Sequence, residues 1–125
     1  WCPNCLDETN YYKALYEKYK SQGLKITSIA FEYGATKRIQ RKKLKRFADK
    51  AEIPYTVYLG GAANKKTASV LFPMLNEISS FPTSLFLNEK GDVVFIHTGF
   101  NGPGTGDVFE NYKKKIEGLI ENLLK

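Results

Sequence analysis

The stretch FPTSLFLNEKGDVVFIHTGF, residues 81–100, carries the clearest fold signal in the chain. Two apolar, β-prone runs, at 84–87 and 93–98, flank the polar sequence NEKGD at 88–92. Asparagine, glycine and aspartate favour tight turns because they tolerate the backbone angles that a turn requires. The stretch therefore predicts an antiparallel β-hairpin.

Helical and strand patterns alternate before the hairpin, and a helix follows it. Helices are recognised by apolar residues three or four positions apart, and strands by short β-branched and apolar runs. In chain order, the predicted elements are a first helix that ends at Gly23, a strand at 24–33, a basic helix at 37–50, a short strand at 55–59 that stops at Gly60-Gly61, a helical segment at 67–78 interrupted by Pro73, the hairpin, and a last helix.

The last helix has its own start signal and apolar face. Asp107 and Glu110 have the spacing of a capping box, in which two side chains satisfy the first free amides of a helix. The predicted apolar face comprises Val108, Tyr112, Ile116, Leu119, Ile120 and Leu123.

This order of elements predicts an α/β fold with a mixed sheet. Strands that alternate with helices imply a parallel portion, and the closing hairpin adds antiparallel strands. A chain of 125 residues with 42% hydrophobic content can bury one core of ordinary size. We therefore expect a single domain over residues 1–125.

The positive charge is concentrated in one segment. Residues 37–50 hold eight basic residues and one acidic residue, whereas the rest of the chain has eleven basic and twelve acidic residues. We interpret the segment as the solvated face of a helix. An acidic partner protein, an anionic membrane surface and nucleic acid are alternatives for such a face, and of these we do not predict nucleic acid.

The sequence WCPNC at residues 1–5 contains both cysteines of the chain. The pattern C-x-x-C occurs in zinc sites, structural disulfides and redox dithiols. Zinc usually takes four ligands, and the only other soft ligand is His97. A disulfide across two residues would restrain the unfolded chain little. The redox interpretation is favoured if Cys2 caps the first helix and Pro3 begins it, because free amides then stabilise the Cys2 thiolate.

These residues together resemble the thioredoxin superfamily. The motif WCPNC at a helix start, Phe81-Pro82-Thr83 before a strand, the hairpin LFLNEKGDVV and the turn HTGF carry the resemblance, which covers nearly the whole chain. From residue 73 onward the sequence resembles the TlpA/ResA-like disulfide reductases, especially those of Bacteroidetes. The resemblance implies a three-layer α/β/α sandwich with a mixed sheet.

The resemblance also implies a thiol-disulfide oxidoreductase that uses no cofactor other than its own cysteine pair. Cys2 would attack a substrate disulfide, and Cys5 would resolve the resulting mixed disulfide. Pro82 would be a cis-proline beside the dithiol, and the substrate chain would contact the dithiol segment and the residue before this proline. The expected substrate-binding residues are Trp1, Pro3, Asn4, Phe81 and Pro82.

The family further implies the partners and the compartment. The expected partners are protein substrates that carry disulfides and a thiol protein that supplies electrons. The expected location is the bacterial periplasm or cell envelope.

The sequence departs from the family at its start. Thioredoxin-like domains have a central strand immediately before W-C-x-x-C, and no residues stand there in this sequence. We therefore expect an N-terminally truncated domain, with a membrane tether or export signal in the preceding region. The missing strand often delivers a buried acid near the second cysteine. Glu32, at the end of the 24–33 strand, is a candidate substitute as proton shuttle, and a solvated strand end is the alternative.

Two other functions are consistent with the same fold. A non-catalytic interaction module would use the basic helix at 37–50 to bind an acidic partner. A peroxide-reducing thiol enzyme is less favoured, because its nucleophile usually stands in a Thr-x-x-Cys motif. The presence of both cysteines in the motif favours thiol-disulfide exchange over these two functions.

Overall fold

The computed structural model describes residues 2–73, 75 and 78–125. Two short 3₁₀ turns lie at Lys20–Gln22 and Pro103–Thr105. The main elements, in chain order, are α1 (Pro3–Tyr19), β1 (Thr27–Glu32), α2 (Lys37–Ala51), β2 (Thr56–Ala62), α3 (Lys65–Leu71), β3 (Thr83–Leu87), β4 (Val93–Thr98) and α4 (Asp107–Leu123).

The chain divides into two compact units. Unit 1 comprises the residues up to Leu24 and those from Ser80 onward, and unit 2 comprises Lys25–Ser79. Unit 1 therefore contains α1, α4 and the β3–β4 pair, whereas unit 2 contains the β1–β2 pair with α2 and α3.

The hairpin of unit 1 forms as the sequence predicts. Strands β3 and β4 pair in antiparallel register, with Leu85 opposite Ile96. In the turn, the side-chain oxygen of Asn88 accepts hydrogen bonds from the backbone N–H groups of Lys90 and Asp92, both at 3.0 Å. The asparagine side chain thus supplies the acceptor that organises the turn.

The core of unit 1 joins α1 to α4. Leu15 and Tyr19 of α1 pack with Ile116 and Ile120 of α4, and Ile116 is completely enclosed. The partly buried Tyr12 and the hairpin residues Phe86 and Phe95 pack against this cluster. The predicted first helix is thereby confirmed. It passes through a 3₁₀ turn to Gly23, whose φ of +108° ends it.

Unit 2 contains a parallel strand pair that continues beyond its predicted end. Strand β2 passes through Gly60 and Gly61 to Ala62, so the predicted stop at residue 59 is wrong. A Cβ on Gly60 would stand 2.7 Å from ring atoms of Phe31, so glycine is required here for close packing between the strands. The pairing register shifts between Ala30 and Phe31, beside this contact.

The basic helix α2 is confirmed at its predicted position. The side chain of Thr36 caps its start by accepting from the backbone N–H of Ile39. The inner side of the helix buries Leu44 and Gln40, and Gln40 Nε2 donates to the carbonyl of Gly34 at 3.0 Å. The basic residues stand on the exposed side.

Two further boundaries differ from the predictions. Strand β1 begins at Thr27, because Leu24 packs on the core of unit 1 instead of entering the strand. Helix α3 ends at Leu71, shortly before Pro73. Residues 74, 76 and 77 of the predicted helical segment at 67–78 lie outside the described residues.

The predicted capping box of α4 is wrong. Gly106 is the N-cap, without a side-chain cap, and Asp107 is already the first helical residue. Asp107 and Glu110 still favour the helix, because the negative charges of acidic side chains in the first turn are attracted to the positive end of the helix dipole. On the apolar face, Val108 is exposed, whereas Phe109 is buried.

The parallel and antiparallel portions of the sheet are both present. They form two sheets of two strands each, β1 with β2 and β3 with β4. A continuous mixed sheet would need a strand paired with both β1 and β3, and no described strand does this. The single-domain organisation of residues 1–125 stays a prediction.

Candidate active site

Cys2 caps the first helix, as the sequence predicts. It is the N-cap of α1, and its Sγ atom accepts a hydrogen bond from the backbone N–H of Cys5 at 3.3 Å. Pro3 occupies the first helical turn, where its missing N–H leaves no bond unmade. The free amides and the positive end of the helix dipole are therefore near the Cys2 sulfur, where they favour a thiolate.

Cys2 and Cys5 form a disulfide bond, with their Cα atoms 5.2 Å apart. Both residues are partly buried, and Pro3 and Asn4 between them are exposed. Because these are the only cysteines in the sequence, every thiol of the reduced chain belongs to this pair. The pair can therefore exist as an intramolecular disulfide that is accessible from the side of Pro3 and Asn4.

The Phe81–Pro82 segment belongs to the same unit as the disulfide. The peptide bond between these residues is cis, Pro82 is buried, and Phe81 is partly buried. The carbonyl of Pro82 accepts a hydrogen bond from the backbone N–H of Gly99 at 2.7 Å, and the Thr83 hydroxyl donates to the carbonyl of Ser80. Both ends of the segment are thus held by hydrogen bonds at the start of β3.

Trp1, expected to shield the dithiol, lies outside the described residues. Glu32 ends β1 and is partly buried in unit 2, whereas the disulfide belongs to unit 1. The role of Glu32 as a proton shuttle stays a prediction.

Glu8 is a candidate functional residue that the sequence reasoning missed. It follows Cys5 by three positions on α1, so the two side chains share one helix face. Its Oε2 atom accepts a hydrogen bond from Ser84 Oγ at 3.0 Å. Burial raises the pKa of Glu8 to about 7, and the bond from Ser84 partly opposes this rise. Glu8 therefore changes charge near neutral pH.

Two tyrosine hydroxyls extend this hydrogen-bond chain. Tyr12 OH donates to Ser84 Oγ at 2.8 Å, and Tyr112 OH lies 3.1 Å from Tyr12 OH. Burial raises the pKa of Tyr12 above its usual range and that of Tyr112 to about 12. Both hydroxyls therefore keep their hydrogens at physiological pH.

His97 packs against an aromatic ring. Its ring centroid lies 4.6 Å from that of Tyr112, and burial, together with the positive charge of Lys115, lowers the pKa of His97. Within residues 2–73, 75 and 78–125, no three His, Cys, Asp or Glu side chains are grouped so that they could hold a metal ion. No helix in the described part of the chain is both long and apolar enough to cross a membrane.

The basic helix α2 carries its charges in solvent. Lys45 pairs with Asp49 at 2.7 Å, and both side chains of this pair are largely exposed. Exposed pairs of this kind contribute little to stability. No observation favours the interaction-module alternative for this helix.

Comparisons with known proteins agree with the fold. No family model matches the chain. The thiol-disulfide oxidoreductase ResA of Halalkalibacterium halodurans is 29% identical over 100 residues, which cover 79% of this chain and 49% of ResA. The chain thus spans about half the length of this curated relative.

Two solved structures are similar to this one. A Chlorobium tepidum protein described as a thiol:disulfide interchange protein DsbE has a TM-score of 0.73 at 20% identity, covering 100% of this chain and 74% of that one. StoA from Bacillus subtilis has a TM-score of 0.58 at 19% identity, covering 88% of this chain and 75% of that one.

The thioredoxin-like fold predicted from the sequence is confirmed by these structures. Within this fold, the Cys2–Cys5 disulfide lies at the start of α1. The chain is similar in sequence to ResA over 100 residues and similar in fold to the DsbE-like and StoA structures. The name of ResA describes it as a thiol-disulfide oxidoreductase, and the Chlorobium tepidum protein is described as a thiol:disulfide interchange protein.

Proposed function

We propose that the chain catalyses thiol-disulfide exchange through Cys2 and Cys5 and works as a reductase of protein disulfides. The observation that carries this proposal is the position of Cys2 Sγ at the N-cap of α1, where it accepts the N–H of Cys5. A sulfur in this position has a stabilised thiolate, and the thiolate is the nucleophile in disulfide exchange.

The reaction has two exchange steps. The Cys2 thiolate attacks one sulfur of the substrate disulfide, forming a mixed disulfide and releasing the other substrate sulfur as a thiolate, which takes a proton. The Cys5 thiolate then attacks Cys2 Sγ, which forms the Cys2–Cys5 disulfide and releases the second substrate thiol. Two electrons pass to the substrate, and a dithiol donor must return two electrons to the oxidised pair.

Glu8 is suited to serve the second step. Cys5 must lose its proton before it attacks, and Glu8 is its neighbour one turn along the same helix face. A carboxyl with a pKa of about 7 can accept that proton when ionised and return it in the reverse reaction. The resolving step should therefore accelerate as the pH rises through about 7.

The same proposal includes the contacts and location that the family resemblance implies. Pro3 and Asn4 are exposed beside the disulfide, and the Phe81–Pro82 segment is held at the start of β3. We propose that these four residues, with Trp1, bind the substrate chain. A thiol protein in the periplasm or cell envelope would be the electron donor, and the Cys2–Cys5 disulfide would be the only redox group.

A matched pair of variants tests the two cysteine roles. Cys5→Ser protein should form a stable mixed disulfide with 5,5′-dithiobis(2-nitrobenzoate), because Cys2 attacks and nothing resolves the adduct. Cys2→Ser protein should react far more slowly, because Cys5 lies inside the helix without the N-cap stabilisation. Mass spectrometry of the adducts distinguishes the two results. Equal reactivity of the two variants would contradict the assigned roles.

A further inference from the structure

A chain of hydroxyl groups within unit 1 ends at the Glu8 carboxylate. Ser84 Oγ donates to Glu8 Oε2, Tyr12 OH donates to Ser84 Oγ, and Tyr112 OH lies within hydrogen-bond distance of Tyr12 OH. Each hydroxyl has a single hydrogen. Since the Tyr12 hydrogen points to Ser84, Tyr112 is the donor to Tyr12. All three hydrogens are therefore directed along the chain toward Glu8.

We propose that Ser84, Tyr12 and Tyr112 are positioning residues that set the protonation of Glu8 and thereby the pH range of the resolving step. The part that concerns the resolving step rests on the proposed function. The part that concerns Glu8 itself depends only on the hydrogen-bond chain.

The direction of the chain decides its effect. A hydrogen bond donated to a carboxylate favours the ionised form, whereas burial favours the neutral form. Ser84 is itself buried, and its hydroxyl both accepts from Tyr12 and donates to Glu8. A hydroxyl that accepts one hydrogen bond becomes a stronger donor in another. The bond from Tyr12 to Ser84 therefore strengthens the bond from Ser84 to Glu8. The chain thus keeps Glu8 ionisable near neutral pH despite its burial.

Among Glu8, Tyr12 and Tyr112, Glu8 is the group whose pKa lies near neutral. Helix α1 contributes Tyr12 and the disulfide-bonded Cys5, β3 contributes Ser84, and α4 contributes Tyr112. Beside Tyr112, β4 contributes His97, whose pKa is lowered by burial and by the positive charge of Lys115. The tyrosines stay protonated because burial raises the pKa of each.

The direct test is the titration of the Glu8 side-chain carboxyl in oxidised protein, followed by ¹³C NMR, with the resonance assigned by its absence in Glu8→Gln. Ser84→Ala should shift the Glu8 midpoint upward by about one unit, because the bond to the charged form is lost. Tyr12→Phe should shift it upward by a few tenths of a unit, and Tyr112→Phe by less. The shift should decrease with distance along the chain.

Tyr11→Phe is the matched control. Tyr11 neighbours Tyr12 on α1 and packs in the same aromatic cluster, but its buried hydroxyl has no hydrogen-bond partner among the described residues. Its removal should leave the Glu8 midpoint unchanged. If Tyr12→Phe and Ser84→Ala likewise leave the midpoint unchanged, or move it downward, the proposal is overturned. Tyr12→Phe removes one oxygen atom only, so it decides the question even if Ser84→Ala is too unstable to titrate.

A second measurement connects the chain to exchange. The rate at which Cys5 displaces thionitrobenzoate from Cys2 should show a pH midpoint that moves upward in Tyr12→Phe and stays in place in Tyr11→Phe. If Tyr12→Phe shifts the Glu8 midpoint measured by NMR but leaves the pH midpoint of the displacement rate unchanged, the proposed link between Glu8 and exchange is overturned. Failure of the proposed function is a different result, because Cys2→Ser protein would then exchange at the wild-type rate whatever Glu8 does.

Discussion

The two units of the molecule differ in how far their ionisable groups are exposed to solvent. In unit 1, Glu8, Tyr12 and Tyr112 lie in a partly buried hydrogen-bond chain, and their pKa values are raised. In unit 2, the basic residues of α2 stand in solvent, where the exposed Asp49 raises the pKa of Lys45. The charge excess of the chain and the carboxyl whose pKa lies near neutral therefore belong to different units.

The largest effect on stability is expected in the core of unit 1. Ile116 is completely enclosed against Leu15 and Tyr19, so Ile116→Ala leaves a cavity and should lower the free energy of unfolding by about 2–5 kcal/mol. Val70→Ala on α3 of unit 2 is the control, because Val70 is 72% exposed and should change stability by less than about 0.5 kcal/mol. Urea unfolding measures both. Similar losses in the two variants would contradict the burial described for the two units.

Glu8 should make the stability of the protein depend on pH. Its pKa rises from 4.5 to about 7 on folding, so folding favours the protonated form. The resulting stabilisation is fully present below pH 4.5 and is lost as the pH rises through about 7. Glu8→Gln should remove this loss, which amounts to about 3 kcal/mol at most. Urea unfolding at pH 4.5 and pH 8 compares the variant with wild type, and an identical pH dependence in both would refute the assigned burial.

The smallest effect is expected on α2. The Lys45–Asp49 pair is exposed, and solvent and salt screen its attraction. Lys45→Gln should leave the thermal unfolding midpoint unchanged at physiological salt and should not alter thiol-disulfide exchange. A clear loss of exchange in this variant would mean that the basic helix takes part in the reaction.

The position of Cys2 at the start of the first helix could be predicted from the neighbouring residues alone. A proline at the first helical position and a cysteine before it predict the N-cap role of Cys2, because capping depends on neighbouring residues only. The hairpin around Asn88 and the end of the first helix at Gly23 follow from the same local backbone preferences. These features are set within a few residues of sequence.

Features that depend on distant contacts were missed. From the sequence, Gly60 predicts the end of a strand. The strand continues because the ring of Phe31 occupies the space that a side chain at position 60 would need. Glu8 resembles an ordinary acid near a helix start, and its hydrogen-bond donor Ser84 lies 76 residues away in the sequence. One signal was present, since Glu8 stands at helical spacing between Cys5 and Tyr12, within the stripe that continues to the buried Leu15. An acid inside an apolar stripe indicates a buried partner.

The most direct test of the proposed function is the equilibrium between reduced and oxidised Cys2–Cys5 in glutathione and dithiothreitol buffers, with alkylated thiols counted by mass spectrometry. We predict a reversible two-electron couple at the reducing end of the thioredoxin range, roughly −270 mV. A potential of about −120 mV would instead indicate an oxidant. The absence of an intramolecular disulfide at every buffer potential would contradict the redox function.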